Sequence, residues 1–186
     1  FREDLFFDGA VKTSWIESDP GKAELAARHF VFHGPSSHGV SESDVEISVA
    51  YKLTDTVSFL KHVIEVVSDP DKCSNNPFGL AIAGYGTGKS HLALTIACLL
   101  KDPTSGTSQQ ILKNVLIADA NLGGYIRDKI EELNKPVLTV ALNGMEDFDL
   151  AGELARQLLF HLRKYELDTK PLEDLTPRFN LALKFV

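Results

Sequence analysis

Residues 83 to 90 read Ala83-Gly84-Tyr85-Gly86-Thr87-Gly88-Lys89-Ser90, a cluster of glycines closed by an ammonium and a hydroxyl. That combination suits a polyphosphate. Glycine reaches φ > 0 and carries no Cβ, so successive backbone N–H groups can turn towards one anion. The positive end of a following helix dipole adds to the attraction. On this reading Gly84, Gly86 and Gly88 shape the turn, with Tyr85 and Thr87 between them, and Lys89 bridges the β- and γ-phosphates. The Ser90 hydroxyl ligates Mg²⁺ and His91 completes the candidate nucleotide-binding set. Ala83 stands where the full pattern has a glycine, a mild departure that Gly84 can absorb. For Tyr85 and His91 individually, packing against the protein is the favoured use.

Such a loop needs a strand before it and a helix after it. Phe78-Gly79-Leu80-Ala81-Ile82 is a short apolar run read as a buried strand, and His91 to Leu100 is apolar enough for a core helix. Pro136 to Leu142, rich in β-branched residues, is expected to be a second core strand. Upstream, Asp19-Pro20-Gly21 is a turn ahead of a short helix over 23–30, and Val45 to Val49 alternates as a half-buried strand. Thr54 to Val67 is an amphipathic helix with Thr54 as its N-cap. Tyr51, Lys52 and Leu53 precede it, and packing is favoured there over contact with a nucleotide base. Leu150, Leu154, Leu158 and Leu162 mark another amphipathic helix, and a last one begins near Thr176-Pro177.

Residues 109 to 133 permit two readings. Val115-Leu116-Ile117-Ala118-Asp119 can be a strand whose terminal carboxylate holds Mg²⁺ through water. Ile111, Leu112, Val115, Leu116, Leu122, Ile126, Ile130 and Leu133 recur instead at helical spacing, and this reading is preferred. Asp119 is then a turn between helices. Glu146 or Asp147, beyond the second strand, could act on a phosphate-bound metal, but helix capping by Asp147 or Asp149 is the better use. His29, His33 and His38 are too loosely spaced, with no cysteine or carboxylate fixed beside them, for a metal site.

Composition narrows the choice further. The chain has 186 residues, 44% hydrophobic and 24% charged, with a net charge of −7. That is an ordinary globular balance and a poor one for general binding to a nucleic-acid backbone. No apolar run is long enough for a membrane span and no signal peptide is present. Cys73 and Cys98 make no disulfide framework, which fits a reducing cytoplasm. The chain begins at Phe1 without a methionine and stops at Val186 inside an apolar helical pattern, as a piece of a longer protein would. Asn134-Lys135-Pro136-Val137 and Thr169-Lys170-Pro171-Leu172 lack the aspartate that pairs with guanine, so ATP is preferred to GTP. Arg127, Arg156, Arg163 and Arg178 are scattered along helices, unlike the clustered arginines of a small nucleotide kinase, which stays a secondary alternative.

The loop from Gly84 to Ala93, the Val140-Ala141-Leu142-Asn143-Gly144 segment and the Leu175 to Leu183 segment together resemble a known group. They are similar to the N-terminal ATPase region of large prokaryotic phage-defence proteins of the BREX type. The Tyr-Gly-Thr-Gly-Lys-Ser-His-Leu core is shared with AAA+ ATPases generally. The resemblance covers about residues 54 to 186. It implies a three-layer α/β P-loop NTPase domain with a mostly parallel sheet, over 51–186, following an irregular accessory segment over 1–50. It also implies ATP and Mg²⁺ as ligands, with hydrolysis in the complete protein driving conformational change in a defence or DNA-handling assembly. Self-association or other subunits, and DNA contact through parts outside this chain, belong to the same expectation. The rival class is a nucleotide-binding switch or scaffold module without turnover.

Overall fold

A computed structural model describes residues 10–38, 54–69, 71, 79, 81–82, 84, 86–133, 135–142 and 150–170. The chain divides into two compact units, Phe1–Val137 and Leu138–Val186. In the first, α1 (Trp15–Ser18) and α2 (Pro20–Arg28) are followed by a 3₁₀ turn at Pro35–His38 and by α3 (Thr56–Ser68). Then come α4 (Lys89–Lys101), α5 (Gly106–Ala118) and α6 (Ala120–Leu133). The second unit contains α7 (Leu150–Lys164).

Local chemistry sets most of these boundaries. Asp19 caps α2 by accepting from the Lys22 amide at 3.1 Å, and Pro20 occupies the first helical position, where its missing N–H costs nothing. Asp55 caps α3 through the Ser58 amide at 2.8 Å, one residue later than Thr54. Ser105 caps α5 through the Ser108 amide at 3.1 Å. Asp119 ends α5 and its carboxylate accepts from the Leu122 amide at 2.8 Å, starting α6. The helical reading of 109–133 therefore holds, and Asp119 is a junction.

The first unit is a helix-on-helix assembly. α2 packs on α1, α4 and α5; α6 packs on α5 and α3. α2 buries Ala23, Ala26 and Ala27, small side chains that let its backbone lie close to its neighbours. Phe30 and Phe32 meet edge to face beside it, with ring centroids 4.8 Å apart. Leu60 and Ile64 of α3, Leu94 and Leu99 of α4, Ile111 and Val115 of α5, and Ile126 and Ile130 of α6 fill the interior. Gly123 allows α6 to touch α5 at backbone level, since a Cβ there would sit 2.8 Å from Leu116 Cα. Arg28 donates to Thr107 Oγ1 at 2.9 Å, and Thr107 donates to Glu24 at 3.2 Å, joining α2 to the first turn of α5.

In the second unit α7 buries Ala155, Leu159 and His161, while Leu154 and Phe160 are exposed. Glu153 and Arg156 pair along the helix. The hydrogen bond from Arg156 holds the Glu153 carboxyl below its ordinary range.

The expected α/β fold with a parallel sheet is wrong for the described residues, which contain no β-strand. Gly79, Ala81, Ile82 and Gly84 are exposed, Ile82 at 74%, so the described residues of the first expected strand bury no side chain. Residues 137–142 form no strand either, and Leu138 is 42% exposed. The Val137 amide donates to the Leu100 carbonyl at 2.9 Å, an attachment to the end of α4 in place of a strand ladder. The physical reason lies in α4, whose apolar side is covered by helices α1, α2 and α5. Short apolar runs carry no period of their own and so read equally as strand or as chain packed beside helices. The expected strand at 45–49 and the last helix near Thr176 lie outside the described residues.

Candidate functional site

The glycine loop meets the N-terminus of α4. Gly86 has φ 77° and Gly88 has φ 84°, both in the left-handed region that disfavours any side chain. Their conformation, not crowding, demands glycine, because a Cβ at either position would meet nothing within 4 Å. Gly88 is the residue that opens α4, and no side chain caps it. Its carbonyl accepts from the Leu92 amide at 2.9 Å, closing the first turn. The first turn of a helix is the positive end of its dipole, and here that end meets the glycine loop.

Two side chains close the loop from within. Thr87 Oγ1 donates to the Gly84 carbonyl at 2.8 Å, and Lys89 Nζ donates to the same carbonyl at 2.6 Å. Lys89 thus folds back over the turn and brings its charge to the loop's own mouth. Gly84, Gly86, Thr87, Gly88, Lys89 and Ser90 are all exposed. The structure brings these six sequence-selected residues together on one accessible turn. Tyr85 lies outside the described residues, as do Tyr51, Lys52, Leu53, Glu146 and Asp147.

His91 is turned elsewhere. Its Nε2 lies 2.7 Å from the Ala26 carbonyl of α2, and its ring meets Phe30 edge to face at 4.9 Å. A carbonyl can only accept, so Nε2 carries the proton. Its side chain is half-buried and packs, as the sequence favoured. This contact joins residues 65 positions apart, and no local signal in the sequence pointed to Ala26. Sequence reading also missed Asn114, whose amide donates to the Arg28 carbonyl at 2.9 Å. Together His91 and Asn114 take up carbonyls at the C-terminal end of α2.

The Asp119 carboxylate accepts from the α6 amide it caps. Among the described residues no group of three His, Cys, Asp or Glu is disposed to hold a metal ion. His29 ends α2, and the His33 backbone is tied to Thr56, its amide donating to Thr56 Oγ1 at 2.8 Å. Among the described residues, too, no helix is long and apolar enough to cross a membrane.

This geometry withdraws the likeness to AAA+ ATPases and to the ATPase region of phage-defence proteins, together with the P-loop, Walker A and antiviral-defence assignments that came with it. That architecture needs the loop to leave a buried strand of a parallel sheet, and here helices surround α4 with no strand among the described residues. The shared octapeptide is a local motif, which specifies a turn and not a fold. Comparison of the chain with models of protein families, with curated proteins and with solved structures finds no match.

Proposed function

We propose that residues 84–90 bind the phosphate groups of ATP with Mg²⁺, and that the helical unit holds this nucleotide as a switch or scaffold element without turning it over. One observation carries the proposal: two left-handed glycines stand directly ahead of Lys89 at the open start of a 13-residue helix. Amides at that end, an ammonium and the Ser90 hydroxyl are the donors and the ligand that a Mg²⁺-bound triphosphate requires. The nucleotide brings its own metal, and Ser90 is its ligand from the protein. Phosphate binding draws Lys89 Nζ off the Gly84 carbonyl, so the loop rearranges when occupied. Absence of turnover is favoured by Asp119, a carboxylate that could have held Mg²⁺ through water, because it caps a helix instead. A cytoplasmic setting, rich in ATP and reducing towards Cys98, accords with this reading.

The test is calorimetric titration with MgATP, with Mg²⁺-tripolyphosphate as competitor and phosphate release followed in parallel. MgATP binding that tripolyphosphate displaces, with no phosphate release, is the expected result. Lys89→Ala is expected to weaken binding by about tenfold or more, since hydrogen bonds to charged groups contribute about 1.5–3 kcal/mol. Its far-UV circular dichroism should match the wild type, because Lys89 is exposed. Equal affinity in that variant, or no wild-type binding, would refute the site.

A further inference from the structure

The loop has two glycines in the left-handed region and its described residues are exposed, so contacts beyond it must fix where it points. Lys89 and Ser90 are exposed, whereas the next residue reaches across to another helix. We infer that His91 is a positioning residue for the phosphate-facing turn: by donating from Nε2 to the Ala26 carbonyl, it fixes the direction of the α4 N-terminus and couples that turn to α2. The inference deepens the proposed phosphate site and rests on that reading for its effect on ligand affinity.

Three features support this role. The 2.7 Å contact is a short hydrogen bond to a helix-end carbonyl, and that carbonyl also accepts from the His29 amide at 3.1 Å. The edge-to-face contact with Phe30 fixes the plane of the ring, so the donor cannot swing while the ring stays packed. The receiving end of α2 is itself held, by Asn114 of α5 at the Arg28 and Phe30 carbonyls and by Arg28 on Thr107. His91 therefore anchors the exposed turn to a framework secured by α5. The two ring nitrogens differ in role. Nδ1 plays no part in the contact, so a side chain offering an N–H at the Nε2 position should replace histidine.

Glutamine offers that donor at similar reach, and methionine has similar length with no donor. His91→Met is expected to bind MgATP about tenfold more weakly than the wild type, the loss of one positioning hydrogen bond, and His91→Gln to bind within about twofold of it. Amide hydrogen exchange, without ligand, should quicken in His91→Met at residues 89–92 and at 26–30 together, and return to wild-type rates in His91→Gln. Wild-type exchange in both segments of His91→Met, or failure of glutamine to restore it, overturns the inference. So does MgATP affinity unchanged in His91→Met. Loss of the fold in either variant, seen by circular dichroism, makes His91 a folding residue and also overturns it. A wild-type protein that binds no MgATP rejects the phosphate reading alone, and the exchange measurement still decides whether His91 positions the turn.

Discussion

Cys98 lies buried on α4, one turn from the point where Lys101 donates to the Ile16 carbonyl at 3.0 Å. Burial pushes its thiol up from 9.0 to about 11, with the nearby Glu24 carboxylate acting in the same sense. At pH 8 this leaves on the order of one hundredth of the thiolate that an ordinary cysteine has. Alkylation of the native protein should therefore be slow and should accelerate with unfolding. The same shift sets a pH dependence of stability. An unfolded chain gives up this proton near 9 while the folded one keeps it towards 11, so the contribution is complete below 9 and declines as pH rises through that window. Urea melts at about pH 8 and about pH 10.5 should show the decline, and Cys98→Ala should lack this part of it. The sequence disclosed Cys98 as a helix residue, since Leu94 to Leu100 is almost wholly apolar. It also singled out the six described residues of the glycine turn, whose signal is local. It could not disclose the partner of His91, because Ala26 offers a backbone carbonyl and no distinctive side chain.

Helix bodies were more legible than helix ends: the spacing of Ile111, Leu112 and Val115 identified α5 against the competing strand, whereas the cap of α3 is Asp55 and not Thr54. Segments without a period misled. Phe78 to Ile82 and Val137 to Leu142 have the length and side chains of strands, but a strand is defined by its neighbour, and no sequence pattern supplies one. The helix expected over 23–30 starts earlier: Asp19-Pro20-Gly21 reads as a turn, whereas Asp19 caps α2 and Pro20 takes its first position. At this scale Asp119 gives a direct test. Replacing it with alanine removes the cap on α6 and should cost about 1 kcal/mol in a thermal or urea melt. MgATP affinity should stay as in the wild type. A large metal-dependent loss of affinity would return Asp119 to the nucleotide site and reject its assignment as a junction.

The two units differ in what they hold together. Phe1–Val137 contains the glycine turn, His91 and the helices that pack around α4. A chain ending at Val137 is expected to give a helical circular dichroism spectrum, one cooperative unfolding transition and the MgATP affinity of the longer chain. A broad, uncooperative melt would show that this unit needs Leu138–Val186 to fold. The way α2 is held has a further consequence during synthesis. This alanine-lined helix packs on α4 and α5 and its end carbonyls accept from His91 and Asn114, all of which leave the ribosome long after Ala26 and Arg28 do. A nine-residue helix of this kind is marginal alone. α2 therefore gains these partners only once translation has passed α5, and until then Phe30 and Phe32 lack the helices that bury them.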